Sequence, residues 1–205
     1  MHMSDRTDTL VIGAGPAGLA VAACLAQRGQ SATVIEKADT VAASWRAHYE
    51  RLHLHTVKDL SALPGLPFPE ATPRYVPRRG VVDYLAEYAK RYGITPCFGE
   101  EAVAITPAAS GWQTSTATGR EFVSRSVVLA TGANNVPKVP VIAGRALFQG
   151  RVLHSRDYRS AAPFRRATHT RGRHGQHRRR DRARSCRTRR AHRTVGALTG
   201  ESGAP

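Results

Sequence analysis

One turn constrains this chain more than any other feature: Gly13-Ala14-Gly15-Pro16-Ala17-Gly18, set between an apolar run and an alanine-rich stretch. Thr9-Leu10-Val11-Ile12 runs straight into Gly13, and Leu19, Ala22, Ala23 and Ala26 then recur at helical spacing between Pro16 and Arg28, before Gly29. That order predicts a buried parallel strand, a tight turn and a helix. Ala32-Thr33-Val34-Ile35 predicts a second strand closing at Glu36, which completes a βαβ unit of about 30 residues. Gly13 makes the tight turn, Gly15 lets the backbone approach a pyrophosphate, and Gly18 lets helix and strand pack closely. The helix start at Pro16 and Ala17 offers unpaired N–H groups and a partial positive charge to phosphates. Glu36 lies 18 residues beyond Gly18, where a carboxylate accepts from the ribose hydroxyls of a dinucleotide. Lys37, beside it, is grouped with the same site.

Further along, residues 40–80 are rich in His, Pro and Arg with little periodicity, which predicts a long functional loop with short helical turns. Val81, Val82, Leu85, Tyr88 and Ala89 place an amphipathic helix over 81–92, ending at Gly93. Residues 102–125 alternate around Gly111 and Gly119 and predict a small antiparallel meander. Val127-Val128-Leu129-Ala130 then returns as a buried strand stopped by Thr131-Gly132. The fold class is α/β: a Rossmann-like, incomplete parallel sheet with a small antiparallel meander, followed by a disordered Arg-rich tail.

The net charge of +16 invites a nucleic-acid partner, but it is unevenly spread. Residues 1–164 hold 18 Lys+Arg against 13 Asp+Glu, a net of +5, whereas residues 165–205 hold 13 Arg against 2 acids, a net of +11. The first segment has ordinary enzyme chemistry; the second is a like-charge block that repels itself. Cys24, Cys97 and Cys186 form no CxxC and no disulfide framework, and Cys24 reads as a buried, inert thiol. His48, His53 and His55 lack the carboxylate or Cys company of a metal site, so no metal is expected. No signal peptide is visible and no run is long enough to cross a membrane, so a cytoplasmic protein without membrane partners is expected.

The middle of the chain adds a family resemblance. Trp45-Arg46-Ala47-His48-Tyr49-Glu50-Arg51-Leu52-His53-Leu54-His55-Thr56, then Leu63-Pro64-Gly65-Leu66-Pro67-Phe68-Pro69, then Tyr75-Val76-Pro77-Arg78 stand in order along the chain. Phe148-x-Gly150-x-x-x-His154-x-x-x-Tyr158 follows them. Together with the first glycine turn they resemble the flavin-containing (class B) monooxygenases over about residues 7–164. The resemblance implies that the glycine turn and Glu36 hold FAD, that Ala130-Thr131-Gly132 ends a strand near it, and that Trp45, Arg51, Leu54, His55 and Thr56 lie close to it. Phe148, Gly150, His154 and Tyr158 would link the flavin half to a nicotinamide half. No catalytic residue is assigned. In this family NADPH reduces FAD, O2 adds at the flavin C4a position, and the resulting peroxide oxygenates a small nucleophilic or carbonyl substrate; the cofactor carries the chemistry. Substrate and oligomeric state are not readable from the residues.

The resemblance stops at about Arg165. Where a second glycine turn for NADPH is due, the chain has Arg without Lys, and no Ile, Leu, Met, Phe or Tyr between Arg165 and Gly196. No strand or helix there would bury an apolar face. Read one base out of register from Arg166, the genetic code permits a strand, a second glycine turn and an amphipathic helix. The expectation is therefore a one-base shift near codons 165–166, an out-of-frame tail over 165–205, and a truncated chain inactive as a monooxygenase. Two rivals are a nucleic-acid-binding protein with an Arg-rich tail, and an FAD-binding protein without monooxygenase activity. Against the first stand the missing Lys and stacking aromatics. Removing one base near codons 165–166 should open a longer frame on resequencing of the source DNA; an immediate stop in that frame would refute the shift.

Overall fold

Strand β1 (Asp5–Ile12) becomes apolar toward its end, helix α1 (Pro16–Ala26) is built largely of small residues, and β2 (Ala32–Glu36) follows. Small side chains let α1 lie close to the sheet. These elements come from a computed structural model that describes residues 5–133 and 136–164. The expectations of an Arg-rich, out-of-frame and disordered tail fall on 165–205 and lie outside the described residues. The chain divides into Met1–Ala161 and Ala162–Pro205. Of the second unit only the short turn Ala162–Phe164 is described.

One six-stranded sheet organises the first unit, in the order β3-β2-β1-β6-β5-β4. The additional strands are β3 (Cys97–Phe98), β4 (Ala102–Ala108), β5 (Gly111–Thr116) and β6 (Glu121–Leu129). β1 pairs parallel with both β2 and β6, while β4, β5 and β6 pair antiparallel. The expected meander and the expected returning strand at 127–130 are not separate elements. Glu121–Leu129 is one continuous strand, whose first half pairs with β5 while the strand as a whole lies along β1 from Asp5↔Phe122 to Ile12↔Leu129. Alternation in 121–125 hid its continuity with the apolar run that follows, because one half is flanked by the meander and the other is not.

Helix α2 (Ala43–Arg46) is a single turn inside the long loop, and α3 (Arg78–Arg91) opens three residues earlier than its apolar pattern suggested, because Pro77 sets its N-cap. Both longer helices end as the sequence implied. Gly29 and Gly93 take left-handed backbones (φ 69° and 62°), with Gln30 N bonding Leu25 O and Ile94 N bonding Ala89 O. Ala26, expected on the packed face of α1, is exposed, and Cys24 is half-buried.

Alternation along the strands divides the core. Val11 and Val34 face α1 and α3 and join Leu19, Ala23, Leu85 and Tyr88 in the main cluster. Leu10, Ile12 and Ile35 join Phe122 in a smaller second cluster. The N-terminal end of the sheet is fastened by Arg120, whose Nε lies 2.7 Å from Asp5 and whose Nη1 lies 3.6 Å from Glu100. Hydroxyls of Thr116 and Thr118, ahead of Arg120, hold the buried Glu100 carboxyl below the usual range.

The Leu63–Phe68 stretch owes its shape to tyrosines spaced i, i+4 along α3, Tyr84 and Tyr88, with Tyr92 following at its C-cap. Tyr84 hydroxyl accepts from Leu63 N (2.7 Å) and donates to Leu66 O (2.6 Å), and its ring stacks on Phe68 at 4.0 Å. Tyr88 hydroxyl donates to Pro64 O (2.8 Å), while Tyr92 hydroxyl accepts from Gln27 Nε2 (3.1 Å). Replacing Tyr84 by Phe leaves a main-chain N–H and a carbonyl unpaired, so Y84F should lose about 1–3 kcal/mol in urea unfolding. Burial, aided by Tyr92, Cys24 and Tyr84, pushes the Tyr88 phenol from 10.0 up to about 12. The folded state therefore keeps a proton that the unfolded state releases. Stability from this group is complete below about pH 10 and is lost as pH rises toward about 12; urea midpoints across that window should fall less steeply for Y88F than for the parent chain.

Candidate cofactor site

The turn between β1 and α1 lies where the chain reverses direction across the sheet: β2 stands on one side of β1 and β6 on the other. Crevices at such switch points take ligands at the carboxyl ends of the strands. Gly13 closes the turn with φ +112° and donates its N–H to Ile35 O at 2.8 Å. Gly15 is the N-cap of α1, Pro16 begins the helix, Ala17 lies exposed in its first turn, and Leu19 N bonds Gly15 O at 3.0 Å.

Space around the three glycines separates their tasks. A Cβ on Gly13 would stand 2.5 Å from Ala130 O, and one on Gly18 would stand 1.8 Å from Gly13 O. Neither position tolerates a side chain, because backbone fills the volume. Gly15 is different: a Cβ there would meet nothing within 4 Å. The open volume sits over the N-terminus of an 11-residue helix, whose first N–H groups have no partner within the helix. This is the space a phosphate needs, and the donors present fit a dinucleotide pyrophosphate.

Glu36 closes the other side. Its Oε2 accepts from Ala14 N at 2.8 Å and its Oε1 from Ala38 N at 3.0 Å. The carboxylate is thus a clamp on the glycine turn, and each oxygen retains a lone pair for a further donor. On the β6 side, Ala130 N continues the ladder to Ile12 O (2.9 Å), and Gly132 turns with φ +77° beyond Thr131. Gly13, Gly15, Gly18, Glu36 and Ala130–Gly132 therefore form one locus. Lys37 points away and pairs with Glu101 at 3.4 Å on an exposed surface.

Trp45, Arg51, Leu54, His55 and Thr56 lie along the segment that follows. Trp45 and Leu54 pack on the main core, and Leu54 N bonds Val76 O (2.9 Å). Arg51, His55 and Thr56 are exposed, with Thr56 hydroxyl against that of Ser61. The late motif splits in two. The Phe148 ring lies over Gly150, where a Cβ would meet it at 2.5 Å, which explains the Phe-x-Gly spacing. His154 Nδ1 accepts from Arg156 N at 3.1 Å and caps a short turn. Tyr158 packs its ring 6.2 Å from that of Tyr49, and Arg159 O accepts from Glu50 N at 2.9 Å.

Sequence reasoning missed Ala42. It is fully buried in a left-handed backbone (φ 58°), and its N–H bonds Ala14 O at 3.1 Å, tying the loop to the glycine turn. A non-glycine residue there costs roughly 1 kcal/mol, and no residue-type signal announces it. His48 was also unassigned; burial, then Arg159 and Arg78, lower its pKa. Among the described residues, no group of three His, Cys, Asp or Glu is arranged to hold a metal, and no helix is long and apolar enough to cross a membrane.

Residues 10–169 match the family model described as pyridine nucleotide-disulphide oxidoreductase. The indole-3-pyruvate monooxygenase YUCCA1 of Oryza sativa subsp. japonica is 42% identical over 158 residues, which are 76% of this chain and 39% of that protein. The flavin-containing monooxygenase from Stenotrophomonas maltophilia superposes with a TM-score of 0.71 at 29% identity, covering 78% of this chain and 48% of its own. A cyclohexanone monooxygenase from Rhodococcus sp. Phi1 bound to NADP+ has a TM-score of 0.62 at 22% identity over 76% of this chain and 31% of its own, a likeness of fold alone. The chain thus spans about two-fifths of the length of the curated relatives it matches.

The two kinds of glycine can be told apart by substitution. G15A should fold with the parent's circular dichroism and melting behaviour yet bind a dinucleotide about tenfold or more weakly. G18A should lose about 3 kcal/mol or more, or fail to fold; equal stability of the two variants would refute the assignment.

Proposed function

Because the chain belongs to the pyridine nucleotide-disulphide oxidoreductase family, we propose that residues 1–164 form the FAD-binding portion of an NADPH-using flavin monooxygenase. The carrying observation is the glycine turn whose one open position, Gly15, faces a helix N-terminus and is clamped by the Glu36 carboxylate. Likeness to flavin monooxygenases over three-quarters of the chain supports it.

On this reading the N–H groups at the start of α1 hold the pyrophosphate, Glu36 accepts from the ribose, and Ala130–Gly132 lines the opposite wall. Trp45 and Leu54 close the inner side and exclude water, while Arg51, His55 and Thr56 line its mouth. FAD, once bound, would supply the redox and oxygen-activating chemistry. NADPH would be the reductant, and a small molecule and O2 the reactants, in the cytoplasm. The name of the rice relative favours an aromatic 2-oxo acid among the possible substrates.

Adding FAD to the purified full chain should give a protein-bound flavin spectrum and quenched flavin fluorescence with a dissociation constant on the order of micromolar. E36A should bind about tenfold or more weakly, because it removes both the ribose acceptor and the clamp on Ala14. No flavin binding by a chain that circular dichroism shows to be folded would overturn the assignment.

A further inference from the structure

The sheet carries a second depression at the end remote from the glycine turn. Arg6 and Thr7 stand near the start of β1, and Thr7 pairs in register with Ser124 of β6. β4 and β5 reverse through Ala109 and Ser110, between the paired residues Ala108 and Gly111. Gly111 takes a positive φ of +124°, and a Cβ there would fall onto Ser124 O and Arg125 Cα. The glycine thus lets the hairpin tip press on β6, which brings Ser110 beside Ser124 and Arg125.

A cavity of about 80 Å³ results, lined by Arg6, Thr7, Ser110, Val123, Ser124 and Arg125. That is several times the roughly 10–15 Å³ that a single water requires. The floor is buried: Ser124 is 1% exposed, and its Oγ has no hydrogen-bond partner among the described residues. The rim is open, because Arg6, Ser110 and Arg125 are exposed.

Charge at this rim is unbalanced. The ion pairs among the described residues join Lys37 to Glu101, Arg79 to Asp83, and Arg120 to Asp5 and Glu100, and none reaches Arg6 or Arg125. Both acids of β1 are engaged elsewhere, Asp5 with Arg120 at 2.7 Å and Asp8 with the Ser31 hydroxyl at 2.8 Å. Arginines that serve only to solvate a surface need neither a cavity nor a hairpin pressed beside them. Two guanidiniums without a counter-charge repel one another, and each offers a planar fork of donors that matches an oxyanion.

We propose that this cavity is an oxyanion site for a phosphate group, free or carried by a phosphorylated small molecule. Arg6 and Arg125 supply the charge, and Ser110 adds a hydroxyl at the rim. A phosphate monoester carries about −1.5 to −2 at neutral pH, which balances both guanidiniums; a carboxylate balances one. The cavity takes the tetrahedral group, and whatever it is attached to lies outside, over the rim. Six residue steps along β1 from Arg6 to Ile12 put the site roughly 20 Å from the glycine turn. It is therefore separate from the dinucleotide crevice and does not rest on the flavin reading.

Calorimetric titration of the full chain with inorganic phosphate, glycerol 3-phosphate and acetate at physiological ionic strength tests it, with amide chemical shifts recorded to locate the ligand. Phosphate should bind with a dissociation constant on the order of 1 mM or lower and shift the amides of Thr7, Ser110 and Ser124. R6Q and R125Q should each weaken it about tenfold or more. Both should keep the parent's circular dichroism, because neither side chain is bonded to another part of the described fold. Acetate should bind about tenfold or more weakly than phosphate. G15A, altered at the glycine turn, should bind phosphate as the parent does. Tighter binding of glycerol 3-phosphate than of phosphate assigns a phosphorylated molecule, the reverse order assigns the free ion, and either keeps the site. No saturable binding, or binding unchanged in R6Q and R125Q, overturns it. So does acetate binding as tight as that of phosphate, or phosphate binding lost in G15A, which would move the anion to the glycine turn.

Discussion

The contact between Gly18 and the carbonyl of Gly13 is the constraint on which the remaining structure hangs. Helix α1 comes so near the end of β1 that a methyl group on Gly18 would stand 1.8 Å from that oxygen. Close approach brings Leu19, Ala22 and Ala23 down onto Val11 and Val34 and lets α3 pack beside α1 in the same cluster. From α3 the tyrosine hydroxyls reach across to shape the Leu63–Phe68 stretch. A fold that began with a larger residue at Gly18 would lift α1, and the helix N-terminus would no longer point at the crevice beside β6.

Around this contact the turn is held by its neighbours from several sides. Ile35 O takes the N–H of Gly13, Glu36 takes that of Ala14, and Ala42 donates to Ala14 O. Each bond comes from β2 or the loop after it, so the second strand serves the turn as much as the sheet. A loop fixed in this way does not have to be ordered when a ligand arrives, and that part of the entropic cost of binding is met during folding. The left-handed backbone at Ala42 is the strained element in the arrangement, kept because the buried surroundings leave it no alternative.

Much of this was legible in the residues. Gly13, Gly15, Gly18 and Glu36 carry their geometry in their spacing, because a βαβ turn admits few solutions. Gly29 and Gly93 marked helix ends for a similar local reason. Legibility failed where geometry is decided by partners remote in sequence. Nothing near Glu121 reveals that it starts the strand ending at Leu129, because the pairing that makes it one strand lies on β1. The Phe148–Gly150 spacing carried a family resemblance before it had a cause, and the cause is a ring lying on a glycine. Lys37 stood beside Glu36 and was grouped with it, yet strand alternation turns it toward Glu101. Ala42 was invisible because a left-handed alanine leaves no mark in composition.

The continuity of β6 also sets an order of events. Pairing Asp5 with Phe122 closes a loop of most of the domain, and long loops are entropically costly and slow to close. Until that happens, β1 has β2 on one side and nothing on the other, and the wall formed by Ala130 is missing from the crevice. During synthesis the glycine turn and its helix can therefore assemble early. The nascent chain gains the Ala130 wall of the cleft only after Leu129 has cleared the ribosome, which makes the last of the described strands the gatekeeper of the first described motif to emerge.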